Sequence, residues 1–121
     1  MTTLKGACHC GAVTFEADTP PEPAKRCNCS LCRRRGAVMS PPFLADALRI
    51  LSGESDLVLY QFNTRTAKHF FCRHCGIYTF HQTRSNPAEW RVNLGCVEGL
   101  DAYALSSAIA DGASSSVISG A

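Results

Sequence analysis

Apolar and polar residues alternate through 12–17 (AVTFEA), the period of a strand that buries one face. Further runs at 48–51 (LRIL), 57–62 (LVLYQF), 68–71 (KHFF), 77–81 (IYTFH) and 90–97 (WRVNLGCV) are dense in branched and aromatic side chains. Such side chains suit a pleated, half-buried surface, so each run predicts a strand. Segment 18–23 (DTPPEP) predicts an irregular connection, because proline removes ladder donors and fixes the backbone. Pro41 and Pro42 break the chain again, and 83–89 (TRSNPAE) predicts a loop. One short helical turn is expected through 31–35, N-capped by Asn28 or Ser30 and stopped by Gly36. From about residue 102 the chain is rich in Ala, Ser and Gly. A folded domain over 1–101 and a loosely held tail over 102–121 are therefore expected. The pattern as a whole predicts a mainly β fold whose strands are joined by cysteine-bearing turns.

The 121 residues fit one domain, and 45% hydrophobic against 18% charged residues argues against a disordered chain. No run approaches the ~18 consecutive apolar residues of a membrane span. The opening MTTLKGACHCG has no basic segment followed by an apolar one, so a secretory signal is not expected. A cytoplasmic setting follows as the expectation, and reduced thiols there favour metal sites over disulfides. Disulfide pairing is the alternative for eight cysteines, but CxC and CxxC neighbours suit a metal better than separate bridges.

Cys27, Cys29 and Cys32 lie within six residues and lead directly into Arg33, Arg34 and Arg35. Cys8 and Cys10 form a CxC pair, and Cys72 and Cys75 form a CxxC pair; each pair is followed by a glycine, Gly11 or Gly76. Two such knuckles give four thiolates, the ligand set of a closed structural zinc site. Cys27, Cys29 and Cys32 are then left as three ligands for a second zinc with one exchangeable position. That is the arrangement of a catalytic metal, and an exogenous thiol is a natural fourth ligand. A competing partition joins Cys8 and Cys10 to two of Cys27, Cys29 and Cys32. Cys96, alone in a strand-like segment, reads first as a buried small hydrophobe and second as a fourth ligand.

The formal net charge is +2 with every cysteine neutral, and seven thiolates on two Zn²⁺ ions would bring it to about −1. Arg33, Arg34 and Arg35, with Lys25 and Arg26 upstream, therefore read either as local compensation or as partners for carboxylates of an anionic thiol such as glutathione. Confinement of the basic residues to one loop argues against a nucleic-acid surface. His9 and His74 sit inside the knuckles. His69 and His81 flank the second knuckle and are candidate acid–base groups beside the open site, with partly buried structural imidazoles as the commoner reading. Tyr60, Phe62, Phe70 and Trp90 read as core, with a pocket lining as the alternative.

Four ordered motifs, GACHCGAVTFEA, CNCSLCRRRGA, LSGESDLVLYQFNTRTAKHFFCRHCGIYTF and VNLGCVEGLD, make residues 5–101 resemble the glutathione-dependent formaldehyde-activating enzyme and centromere protein V family. The resemblance implies a β-tent of small antiparallel sheets. It implies a structural zinc on Cys8, Cys10, Cys72 and Cys75, and a functional zinc on Cys27, Cys29 and Cys32. It also implies carbon–sulfur lyase chemistry on a glutathione adduct, in the simplest case S-hydroxymethylglutathione from formaldehyde. A non-catalytic thiol binder or sensor, and a zinc-stabilised interaction module, are the competing functions.

Overall fold

The computed structural model describes residues 2–62 and 64–110. Among the described residues, ten strands and one short α-helix follow in order. They are β1 (Thr3–Ala7), β2 (Thr14–Asp18), β3 (Ala24–Cys27), α1 (Ser30–Arg35), β4 (Phe43–Leu44), β5 (Leu48–Ser52), β6 (Leu57–Tyr60), β7 (Lys68–Cys72), β8 (Tyr78–Gln82), β9 (Glu89–Val92) and β10 (Ser107–Ala110). The fold is mainly β, as the residue pattern predicts. An antiparallel three-stranded sheet runs β1-β2-β5, and an antiparallel five-stranded sheet runs β4-β9-β8-β7-β6. A third pairing, β3 with β10, is parallel. No helix among the described residues is long and apolar enough to cross a membrane.

The alternation in β2 buries Phe15 and Ala17 and turns Glu16 and Asp18 to solvent. There Arg49 of β5 clamps Asp18 through two guanidinium N–H donors at 2.8 and 3.0 Å. Phe15 meets Phe80 of β8 edge-on at 5.3 Å, which joins the two larger sheets through a dry core. Phe70, Phe80 and Trp90 continue that core on one face of the five-stranded sheet. Burying a side chain of this size contributes about 1.5–3 kcal/mol.

β8 is buried along four of its five residues, so both of its faces are covered. Register decides what its second face presents. Tyr60 pairs with His69, His69 with His81, and His81 with Arg91, giving one row across β6, β7, β8 and β9. The β7–β8 register shifts between Phe70 and Phe71, because Phe70 pairs with Phe80 while Phe71 pairs with Tyr78. Thr79 is the extra residue of this bulge. It places Tyr78 on the same face as His81, as bulges re-aim side chains elsewhere.

Some boundaries differ from the sequence expectation for local reasons. The strand expected over 90–97 stops at Val92, because the Asn93 side chain accepts from Gly95 N–H at 3.0 Å and starts a 3-10 turn, Leu94–Cys96. The short helix is present and ends at Gly36, whose φ of 64° is left-handed. Its N-cap is Cys29, not Asn28 or Ser30: the Sγ accepts from Cys32 N–H at 3.3 Å. Of the segment expected to be a tail, Ala102–Ala104 makes a 3-10 turn and Ser107–Ala110 pairs with β3, while 111–121 lie outside the described residues.

Candidate metal centres

The cysteine sulfurs gather as four and three. Those of Cys8, Cys10, Cys72 and Cys75 all lie within 4.8 Å of one another, and so do those of Cys27, Cys29 and Cys32. No disulfide joins any of the eight cysteines, Cys96 included, and no sulfur of the first cysteine pair joins the three-sulfur group.

The four-sulfur group is built by two similar turns. Cys8 accepts at its Sγ from Val13 N–H at 3.3 Å, and Cys72 accepts at its Sγ from His74 N–H at 3.4 Å. Each turn closes through a glycine amide, Gly11 N–H to Cys8 O at 3.2 Å and Gly76 N–H to Cys72 O at 2.8 Å. Both glycines hold left-handed φ, 83° and 76°, which a side chain would strain. The Sγ separations are 3.6 Å for Cys8–Cys10 and 3.7 Å for Cys10–Cys72. A tetrahedral zinc with Zn–S bonds of about 2.3 Å needs sulfurs about 3.8 Å apart. Amide donors, cysteine-only ligands and these separations all suit zinc. The amides of Cys10 and then Ile77 hold the Cys75 thiol down at about 6. His9 and His74 are exposed, and His74 pairs with Asp56 at 3.0 Å.

The three-sulfur group spans the end of β3 and the first turn of α1. Crowding drives the Cys32 thiol far above its ordinary value, the hydrogen bond with Cys27 first and burial second. A cation would be required to hold all three as thiolates, and the cysteine set again suits zinc. No fourth Cys, His, Asp or Glu ligand atom joins this group among the described residues. Cys96 is accounted for elsewhere. It is buried, its thiol donates to Tyr78 O at 3.4 Å, and burial pushes it up to about 12.

The three arginines after Cys32 diverge. Arg33 and Arg34 are exposed, and Arg34 donates back to Ser30 O at 2.7 Å. Arg35 turns inward instead. Its guanidinium carbon stands 3.8 Å from the Tyr78 ring centroid and its NH1 is 3.3 Å from His69 Nδ1. The helix carrying Cys32 is thereby docked on the polar row of the five-stranded sheet. Tyr78 lies within electrostatic reach of Cys32 and Cys29, and Arg91 within reach of Cys27.

Burial dominates the protonation states of this face. It lowers His69 to about 4, with Arg35 adding to the effect. It lowers His81 well below the usual imidazole range and raises Tyr78 well above the usual phenol range. Tyr78 and His81 are hydrogen-bonded through the phenol oxygen and Nδ1. The phenol O–H donates to Nδ1 when the imidazole proton sits on Nε2, and the phenol oxygen accepts from Nδ1–H in the other tautomer. Arg35 was expected at this site only as one of three consecutive arginines, and Tyr78 and Arg91 had no signal of their own in the sequence; their grouping follows from register and from the docking of α1. Of the aromatic candidates, Phe70 and Trp90 pack on the core, whereas Tyr60 and Phe62 stack on each other outside it.

These features can be set beside known proteins. A crystal structure of a Rhodobacter sphaeroides protein is similar with a TM-score of 0.77 and 54% identity, covering 80% of this chain and 90% of that one. A putative glutathione-dependent formaldehyde-activating enzyme of Halomonas elongata is 36% identical over 81 residues, which is 60% of this chain and 51% of the relative. The chain thus spans about half the length of that curated relative. The family model of the glutathione-dependent formaldehyde-activating enzymes matches residues 3–109, and with this match the chain belongs to that family.

Proposed function

We propose that this protein is a zinc-dependent carbon–sulfur lyase-type enzyme acting on an adduct of glutathione or a related thiol. One observation carries the reading: three cysteine sulfurs within 4.8 Å of one another, with no fourth ligand among the described residues, beside a complete four-sulfur group. Cys8, Cys10, Cys72 and Cys75 hold a structural zinc in this reading, and Cys27, Cys29 and Cys32 hold the zinc where the thiol binds. Zinc there would keep the substrate sulfur as a thiolate at neutral pH.

The chain's own residues supply the rest. Arg33 and Arg34, exposed at the rim, offer bidentate contacts to the carboxylates of an anionic thiol. Arg91 places positive charge within reach of the Cys27 sulfur, and Arg35 holds its guanidinium over Tyr78. In the synthetic direction a sulfur lone pair forms the C–S bond to an aldehyde carbon. The C=O π pair moves to oxygen, which takes a proton, and the product is a hemithioacetal. The neutral Tyr78–His81 pair, within electrostatic reach of Cys32 and Cys29, is the internal proton source in this reading; cleavage returns the proton to it. Family membership and the name of the Halomonas relative favour glutathione and formaldehyde as the simplest pair.

Metal analysis and turnover test this reading together. Two zinc ions per chain are expected, with one released readily to a mild chelator. The zinc-loaded protein is expected to change the rate at which S-hydroxymethylglutathione or a related hemithioacetal forms or breaks down. One tightly held ion, or unaltered rates across a panel of thiol adducts, would overturn it.

A further inference from the structure

The three-sulfur group is shared between two elements that are held in different ways. Cys27 ends β3, where it pairs with Ala110 of β10. Cys29 and Cys32 belong to the N-cap and first turn of α1, which is six residues long. Helices shorter than about 12–15 residues are marginal on their own in water, so the position of α1 depends on what anchors it. Arg33 is exposed, and Arg34 bonds back to Ser30 O of its own helix. Arg35 instead reaches the five-stranded sheet, with its guanidinium carbon 3.8 Å from the Tyr78 centroid and its NH1 3.3 Å from His69 Nδ1. That anchor point is firm. Tyr78 is buried on β8, the central strand of the sheet, and its ring lies nearly parallel to His81, to which it is hydrogen-bonded. Between Arg35 and Cys32 there is less than one helical turn, and the Gly36 amide closes the helix on Cys32 O at 3.0 Å.

Resting on the reading of Cys27, Cys29 and Cys32 as the open zinc site, we infer that Arg35 is a positioning residue for that metal: its clamp on Tyr78 fixes α1 and so sets how tightly the site holds zinc. The physical reason is pre-organisation. With the clamp in place, the two sulfurs carried by α1 already stand beside Cys27. Without it, ordering the helix against β3 opposes metal binding, because the free energy of forming the site is drawn from that of binding the ion. Arg35 acts through the helix and not as a ligand, since a guanidinium stays protonated and has no lone pair to offer a metal. A cation held over an aromatic face gains most where water is excluded, as it is above buried Tyr78. The four-sulfur group, built by the two knuckle turns, supplies an internal reference in the same chain.

Zinc competition against a graded set of chelators, using the whole chain with no thiol present, reads the two sites separately. Arg35→Met is expected to weaken the three-sulfur site about 10- to 30-fold, the factor that a desolvated cation–π contact is worth, and to leave the four-sulfur site within about twofold. Arg33→Met removes the same charge from the same helix without touching the clamp. It should weaken the three-sulfur site by less than about threefold, as loss of a solvent-screened charge does. In NMR spectra of the two-zinc protein the Arg35 Hε resonance should lie upfield, shifted by the Tyr78 ring, and Tyr78→Phe, which keeps the ring, should keep that shift. Equal weakening by Arg35→Met and Arg33→Met would assign Arg35 to charge compensation and overturn the inference. Equal weakening of both sites by Arg35→Met would make it a general stabiliser of the fold, with the same consequence. An unshifted Hε, or unchanged zinc affinity in Arg35→Met, overturns the clamp and leaves the open site standing. A wild-type chain that binds a single zinc overturns the open-site reading and the inference together.

Discussion

Tyr78 and His81 are three residues apart on one strand, yet they face the same side and share a hydrogen bond. In a regular strand such positions point to opposite faces. The bulged Thr79 removes the conflict: its hydroxyl donates to Phe70 O at 3.0 Å, and the register on either side of it differs by one residue. The two rings then lie nearly parallel at 5.9 Å beneath the Arg35 guanidinium.

This pairing makes Tyr78→Phe informative. The substitution keeps the ring and removes the phenol oxygen that hydrogen-bonds the buried His81 imidazole and Arg35. A loss of about 1–3 kcal/mol is expected, the cost of leaving a buried polar group unsatisfied. Urea denaturation of the zinc-loaded protein measures it, with zinc content unchanged at both sites. A loss below about 0.5 kcal/mol would mean that the hydroxyl does not satisfy His81.

Cys29 has two roles that different substitutions separate. Its sulfur belongs to the three-sulfur group and also N-caps α1 by accepting from Cys32 N–H. Serine replaces the cap but is a poor zinc ligand; alanine replaces neither. Cys29→Ser is expected to lose one zinc of two and to melt close to the wild type. Cys29→Ala should lose the same ion and a further ~1 kcal/mol, the usual worth of an N-cap. Cys72→Ser removes a fully buried sulfur of the four-sulfur group that ties β7 to the first knuckle, and should melt far lower. Metal analysis with thermal melting checks all three. Equal losses in Cys29→Ser and Cys72→Ser would contradict the division into an open and a structural site.

The parts of this fold that were legible in the sequence are those with local causes. Alternation marked β2, and aromatic or branched runs marked β5, β7 and β8, because each strand buries at least one face of its own residues. The knuckles were legible because CxC and CxxC turns need a following glycine. β3 and β10 left no such trace. β3 (AKRC) carries no alternation, and its parallel partner lies some eighty residues later, so the pairing exists only in three dimensions. Three consecutive arginines look alike in sequence, and only the docking of α1 selects Arg35 to turn inward. His69 and His81 were visible as strand histidines, but their contact with each other depends on a register set by the whole five-stranded sheet.

Gly6 of β1 shows how closely the three-stranded sheet is packed. A Cβ there would come within 2.6 Å and 2.9 Å of the Phe15 ring carbons Cε2 and Cε1. That ring is almost fully buried and held edge-on to Phe80, so it has little room to yield. Gly6→Ala is expected to cost about 1–3 kcal/mol through overpacking. Adding Phe15→Leu should make the double variant more stable than the sum of the single changes predicts. Strict additivity in urea denaturation would show that the two side chains do not compete for space.

Acid stability depends on His69 in a direction that its burial fixes. The folded imidazole is lowered to about 4 by burial and then by Arg35, against an ordinary value of 6.5. Between those values the unfolded chain binds a proton that the folded chain does not. Stability is therefore complete above about pH 6.5, falls as the pH drops through the window, and loses no more from this residue below about 4. The total is on the order of 3 kcal/mol. His81, held neutral by burial and by its neighbours His69, Arg91 and Arg35, changes stability in the same direction. Thiolate protonation also weakens zinc sites in acid, so the measurement is the difference between wild type and His69→Phe, with zinc content followed at each pH. The wild type should lose more stability than the variant from pH 6.5 to 4. Identical slopes, or an NMR titration of His69 with a midpoint near 6.5, would show that burial does not keep this imidazole neutral.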